Sequence, residues 1–364
     1  MDDASALSPD PIRPGIGTSG TARNWPLNSW WVAAHGSEVS EKPIMRWIME
    51  LPIALYRTES QEAVALHNRC PHRWAPLHMG EVAGDRLICP YHGMEFEPSG
   101  QCMKVPTQDN TPSAIRIRAF PVEERYGFIW IWMGEASLAD PELIPADLAY
   151  LEDPAWYNVW GYKAVNANFM QIKENVLDLT HFSFLHKNSL GVTDWNRPPK
   201  VESANGRVTY SQFFENSPLA AIYAAAANKT PGKIVNRETW GTQLSPGAHH
   251  SAVNIYDLDT EPNGLSECFA RVVHLTTPVS VGKTHYYWVM ARDHGGPYDV
   301  EQTRAFIGKV FAEDVTMLEA TQDMARRAAD QDEALEFSVS ADRAGVTGRR
   351  LVAAMTDAEK MQQE

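Results

Sequence analysis

Lys173-Glu174-Asn175-Val176-Leu177-Asp178-Leu179-Thr180-His181-Phe182-Ser183-Phe184-Leu185-His186 is the stretch on which the reading of the chain turns. The pattern predicts a helix with Asn175, Asp178 and His181 along one side, because residues three apart share a helix face. His186 follows five positions after His181. On a regular helix that step turns it about 140° away. Both imidazoles reach one ion only if the helix loosens or ends between them, an irregularity common at functional sites. Two neutral nitrogens and one carboxylate form the usual facial site for mononuclear Fe(II). Two carboxylates compete for the third place. Asp178 is near in sequence, and Asp314 lies in Phe311-Ala312-Glu313-Asp314 on a later helix.

A second constellation precedes it. Cys70-Pro71-His72 is followed, after sixteen residues, by Cys89-Pro90-Tyr91-His92-Gly93. Two thiolates and two imidazoles from Pro- and Gly-containing turns suit zinc or a Rieske-type [2Fe-2S] cluster. The ligand order separates the two. A zinc finger takes two Cys from one knuckle and two His from a following helix. Here each loop supplies one Cys and one His, which fits one iron held by two Cys and the other by two His, with the loops clamping from two sides. His67 and His78 read as polar loop residues, and Cys102 and Cys268 as small buried hydrophobes.

Around these motifs the chain divides. Residues 1–24, rich in Pro, Gly, Ser and Asp, read as a loose N-terminal arm. Residues 25–135 read as a small all-β domain of short strands, among them Trp47–Glu50, Ile53–Tyr56, Ala63–Leu66 and Phe128–Met133. Residues 136–155, with Pro141, Pro145 and Pro154, read as a linker or extended connection. Residues 156–358 read as the strands Tyr157–Ala167, Arg207–Phe214, Ala252–Tyr256, Cys268–Thr276 and His285–Met290, with a short helix at Ala220–Ala227, then show helical periodicity from Asp299 to about Asp330 and a shorter helix near Thr347–Met355. The expected fold class is α+β, with an antiparallel sheet covered by a long C-terminal helix.

Composition excludes several functions. A net charge of −14 argues against nucleic-acid binding, which needs a basic surface. No apolar run is long enough to cross a bilayer. The Met-Asp-Asp start carries no basic-then-apolar segment, so no secretory signal is expected. The 4 cysteines make no disulfide scaffold, and a reducing, cytoplasmic location is expected.

Cys-x-His…Cys-x-x-His followed by Asn-x-x-Asp-x-x-His-x₄-His resembles the large (oxygenase, alpha) subunit of the Rieske non-haem iron oxygenases, over nearly the whole chain from about residue 25 to 355. The resemblance implies that Cys70, His72, Cys89 and His92 bind a [2Fe-2S] cluster in residues 25–135. It implies that His181, His186 and Asp314 bind the catalytic Fe(II) in residues 156–358, and that Asp178 is not a ligand. Asp178 is instead implied to bridge the iron site to a Rieske histidine, matching His92, of a neighbouring subunit in a head-to-tail homotrimer. A helix-grip catalytic domain is also implied. Asp178-Leu179-Thr180-His181, Phe311-Ala312-Glu313-Asp314 and the tail Ala341-Asp342-Arg343-Ala344-Gly345-Val346 are similar to the vanillate and dicamba O-demethylase branch. His274 resembles a pocket-lining strand position; a plain strand histidine is the other reading.

The function these features imply is the terminal oxygenase of a Rieske system, with O₂ and a small methoxyarene-type aromatic as substrates. Hydroxylation of a methyl group gives a hemiacetal-like product that loses formaldehyde. Electrons from NAD(P)H arrive through a ferredoxin or flavin reductase. Arg69, Arg73, Lys104, Arg116 and Arg118, near the cluster loops of an acidic chain, are either its landing site or scattered solvated charges. Two further readings stay open: an arene cis-dihydroxylating dioxygenase with the same metals, and a Rieske electron carrier with a non-catalytic C-terminal domain.

Overall fold

The computed structural model describes residues 25–227, 229–259, 266–328 and 336–363. The expected arm, residues 1–24, lies outside them. The chain forms two compact units, one spanning Leu27–Glu152 and the other running from Asp153 to the C-terminus.

The first unit is built from short antiparallel strands. Phe128–Trp132 is buried on both faces because it is the middle strand of a three-stranded sheet, between Trp30–His35 and Val122–Arg125. Its indoles are satisfied: Trp130 Nε1 donates to Arg125 O and Trp132 Nε1 to Glu135 O. A second sheet runs in the order Ile44–Ile48, Leu51–Arg57, Ala63–His67, Ala119–Phe120. The third joins Glu81–Ala83, Arg86–Ile88, Glu95–Phe96 and Cys102–Lys104. The strand expected at Trp47–Glu50 ends at Ile48, because Met49 and Glu50 turn the chain with φ of 50° and 67°. Residues 136–155 are not extended. They hold three 3₁₀ turns, Ala136–Leu138, Pro141–Leu143 and Ala146–Leu151, the first two capped by the carboxylates of Glu135 and Asp140.

The second unit has strands β1 (Tyr157–Val165), β2 (Lys200–Ala204), β3 (Arg207–Pro218), β4 (Ile234–Gln243), β5 (Ala248–Asp257), β6 (Glu267–Ser280) and β7 (Lys283–Arg292). They form one seven-stranded antiparallel sheet in the order β1-β7-β6-β5-β4-β3-β2. Helices α1 (Phe169–Leu177), α2 (Ala221–Ala226), α3 (Val300–Ala328) and α4 (Arg343–Gln363) accompany it. This is the expected α+β class. Strands β2 and β4 have no counterpart in the sequence reading, and α4 extends beyond Thr347–Met355 at both ends.

Helix α1 is fixed at its start and along its length. Asn168 caps it, accepting from Met170 N at 2.9 Å. The same residue donates through Nδ2 to Val281 O in the β6–β7 turn and through its backbone N–H to Gln322 Oε1 of α3, each at 2.8 Å. A side-chain cap of this kind contributes about 1 kcal/mol. Glu174 accepts two hydrogen bonds from Arg349 of α4, at 2.5 and 2.6 Å. These ties hold α1 between sheet, α3 and α4.

Candidate metal centres and substrate cavity

The two cluster loops are built alike. Cys70 N–H donates to Ala75 O, and Cys70 O accepts from Trp74 N–H. Cys89 N–H donates to Met94 O, and Cys89 O accepts from Gly93 N–H. Gly93 has φ +69°, and Trp74, the matching residue, has φ +59°. A bulky side chain in the left-handed region costs about 1–2 kcal/mol. The structure therefore overrides local preference to keep the first loop in the shape of the second. Both thiols are buried in the unit's small core, beside Leu77, Leu87 and Met94. Burial, with the Cys89 thiol alongside, pushes the Cys70 thiol up to about 11. His72 and His92 are exposed, with ring centroids 4.5 Å apart. Two inward thiols and two outward imidazoles fit a cluster held from two sides.

Among the charges considered for docking, Lys104 is engaged with Glu95 at 3.0 Å, and Arg118 donates to Met133 O and Gly134 O. Arg69 lies over the Trp74 ring at 5.0 Å. Arg73 and Arg116 are exposed. His78 is paired with Asn68, while Cys102 and Cys268 are buried.

In the second unit, His181, His186 and Asp314 come together, their ligand atoms all within 4.8 Å of one another. The helix ends earlier than the spacing predicts. Asp178 is the C-cap of α1, and a 3₁₀ turn, Leu179–Ser183, carries His181. Asp178 and His181 therefore do not share a helix face. The Asp178 carboxylate caps this turn by accepting from Thr180 N at 2.9 Å, and its carbonyl, not its carboxylate, meets His181 Nδ1 at 2.6 Å. His186 follows in the irregular segment after the turn. Asp314 stands at the middle of α3, in the row Phe306, Val310, Asp314, Leu318, and is buried there. A carboxylate on an apolar stripe needs a partner. Its Oδ1 accepts from Asn175 Nδ2 at 3.2 Å and lies 3.1 Å from His186 Nε2 and 3.5 Å from His181 Nε2.

Sequence reading missed Glu313 and Ser189. Glu313 Oε2 meets His186 Nδ1 at 2.8 Å and accepts from Ser189 Oγ at 2.6 Å. The only available signal was its place beside Asp314. Burial lowers His181. Burial works the same way on His186, but the bonds to Asp314 and Glu313 overcome it and raise that imidazole. With Nδ1 engaged by a backbone carbonyl in one ring and a carboxylate in the other, both Nε2 atoms are turned toward Asp314. Two imidazole nitrogens and one carboxylate in this arrangement suit a divalent iron.

The three groups form one wall of a cavity of about 170 Å³. An apolar cavity of about 150 Å³ holds benzene, so this one takes a single substituted ring. Its lining is mostly apolar, including Ile172, Val176, Val272, Met290, Phe311 and Val315. His274 lines it too, bound through Nδ1 to Tyr286 Oη at 2.7 Å and depressed to about 3 by burial, so that it is neutral. Asn175 lines the cavity, and Asp178 is not among its lining residues.

Comparison with known proteins agrees with this geometry. Residues 29–121 match the Rieske [2Fe-2S] domain, and residues 165–358 match the vanillate O-demethylase oxygenase C-terminal domain. The vanillate O-demethylase oxygenase subunit of Pseudomonas sp. (strain HR199 / DSM 7063) is 32% identical over 349 residues, covering 92% of this chain and 96% of that protein. The oxygenase component of dicamba O-demethylase from Stenotrophomonas maltophilia is 35% identical over 276 residues, 74% of this chain and 78% of that protein. A crystal structure of dicamba monooxygenase with non-haem iron and dicamba superposes with a TM-score of 0.78 at 28% identity, over 93% of this chain and 100% of that one. The chain belongs to the Rieske oxygenases of the vanillate O-demethylase type, oxidoreductases that pair a [2Fe-2S] domain with a non-haem iron domain.

Proposed function

We propose that the chain is the terminal oxygenase of a multicomponent system that oxidises the methyl group of a small methoxyarene. The observation that carries this is the meeting of His181, His186 and Asp314 at the wall of an apolar, ring-sized cavity. The relatives' names support the substrate class, since one is a vanillate and another a dicamba O-demethylase. In the balanced reaction, Ar–O–CH₃, O₂, two electrons and two protons give Ar–OH, formaldehyde and water.

In this reading Cys70, His72, Cys89 and His92 hold the [2Fe-2S] cluster, and His181, His186 and Asp314 hold Fe(II). The metals, when bound, supply electron storage and oxygen activation, which no ordinary side chain provides. The chain's own groups do the rest. Apolar residues exclude water and pack the ring. Asn175 orients Asp314, while Glu313 and the Asp178 carbonyl orient the two imidazoles. His274 and Tyr286, a neutral hydrogen-bonded pair, place a polar edge beside the ring. The Asp178 carboxylate bridges to His92 of a neighbouring subunit in a homotrimer, so that electrons cross between subunits. A ferredoxin or flavin reductase fed by NAD(P)H supplies those electrons, docking near Arg73 and Arg116. The proposed boundaries are the Rieske domain at 25–135, the connection at 136–155 and the catalytic domain at 156–358.

The test is turnover of a panel of methoxyarenes with a generic donor. Formaldehyde and the phenol in equal amounts are expected. A cis-diol without formaldehyde would establish the dioxygenase reading instead.

A further inference from the structure

One end of the cavity is polar without carrying a free charge. Thr239 and Tyr223 line it there, on β4 and α2, two strands across the sheet from His274 on β6. Thr239 pairs in register with Gln212 of β3, and Arg237, the next inward residue of β4, pairs with Phe214. Directly cross-strand residues share a sheet face, so these side chains crowd one corner. All three polar groups are more than nine-tenths buried. Thr239 Oγ1, both amide atoms of Gln212, and Arg237 Nε find no hydrogen-bond partner among the described residues. Burying such groups unpartnered is costly and calls for an explanation.

The charge at this corner is already balanced. Arg237 donates to Asp194 Oδ2 at 2.8 Å, and its guanidinium lies over Phe214 at 4.1 Å and Tyr223 at 5.1 Å. Asp194 Oδ1 is also buried without a partner among the described residues. No Lys or Arg is among the cavity-lining residues, and their one carboxylate is Asp314. A second buried anion would meet no uncommitted counter-charge. What remains at the corner is a set of donors and acceptors together.

We propose that Thr239, backed by its cross-strand neighbour Gln212 and by Arg237, is a recognition point for a neutral group of the substrate that both donates and accepts hydrogen bonds, a primary amide or a hydroxyl, and that it discriminates against carboxylate and sulfonate ends. The inference rests on the reading that the cavity holds an aromatic substrate. Of these residues Thr239 lines the cavity, and Tyr223, which lines it too, carries the Arg237 guanidinium on its ring.

The test uses iron-loaded enzyme and a nearly isosteric pair, 4-methoxyphenylacetamide and 4-methoxyphenylacetate, titrated calorimetrically. The amide is expected to bind at least about tenfold tighter than the acid. Thr239→Val is expected to weaken amide binding at least about fivefold, to leave the acid within about twofold, and to leave the Tm unchanged or raised, because it exchanges an unpartnered buried group for an apolar one. A purely structural role for this residue predicts a lower Tm and an unchanged amide-to-acid ratio. That result, equal or tighter binding of the acid, or no binding of the amide, would overturn the proposal. Formaldehyde release is followed in parallel. Its absence with both compounds counts against demethylation, whereas the affinity ratio and the variant read the subsite alone.

Discussion

Replacing Glu313 by alanine removes the carboxylate that holds His186. Its Oε2 meets Nδ1 at 2.8 Å while Ser189 Oγ steadies the same oxygen at 2.6 Å. The tautomer that donates from Nδ1 leaves a lone pair on Nε2, the atom 3.1 Å from Asp314 Oδ1. Without Glu313 the buried ring is free to rotate or to move its proton to the ligating nitrogen. Loss of such an outer partner costs about 10–100-fold in metal affinity, or about 1.4–2.7 kcal/mol. The Glu313 side chain keeps 30% of its surface exposed, so water replaces part of what is lost. About tenfold is therefore expected for Glu313→Ala. Glu313→Gln, whose amide oxygen still accepts from Nδ1, loses about threefold, the difference between a charged and a neutral acceptor. Anaerobic competition for Fe(II) or Co(II) against a chromophoric chelator measures this, with the cluster absorption as internal control. Alanine and wild-type affinities within a factor of about two, or glutamine weaker than alanine, would refute the reasoning.

Asp178→Asn keeps the cap on Thr180 N, so both metal contents should stay at wild-type levels while turnover falls more than about 100-fold; normal formaldehyde yield would remove the bridging role. Arg349→Met strands the Glu174 carboxylate against α4 and should cost about 3 kcal/mol in urea unfolding, most of which Glu174→Leu in the same chain restores; a double variant no better than the single one would show that the pair does not hold α1. His274 has a folded pKa of about 3 against an ordinary 6.5. The unfolded chain therefore binds the extra proton first, and the stability is fully present above pH 6.5 and lost as pH falls toward 3, at up to about 1.4 kcal/mol per pH unit. His274→Gln should flatten the fall of Tm between pH 6.5 and 4.5, and an unchanged slope would contradict the assignment.

Spacing alone made the two Cys/His loops and the paired histidines legible, because ligand order and separation are local properties of a chain. Asp314 was reached for a different reason: the residues left it open against Asp178, and the family resemblance chose it. Strand β4 was illegible because, after Val235, its inward positions Arg237, Thr239, Gly241 and Gln243 are not apolar, so the period-2 signal is missing where the interior is polar. Gly241 is there for space, since a Cβ would lie 2.5 Å from the Tyr210 ring. The end of α1 was misplaced because Asp178-Leu179-Thr180 fits two structures. Its spacing continues a helix, yet an aspartate that accepts from the amide two residues on also begins a new turn. Only the packing of α1 against α3, α4 and the sheet selects the second.

That choice decides what Asp178 is free to do. Had the helix run on, the Asp178 carboxylate and His181 would lie on one face, and the carboxylate would compete with Asp314 for the same ion. Ending the helix turns the carbonyl of Asp178 toward His181 Nδ1, while one oxygen of its carboxylate accepts from Thr180 N. One residue thus meets a candidate ligand through its backbone and caps the following turn through its side chain. With Asp178 withdrawn, the carboxylate on α3 is the one that meets both imidazoles, and Asn175, still on the last turn of α1, reaches it with an amide instead of a second charge.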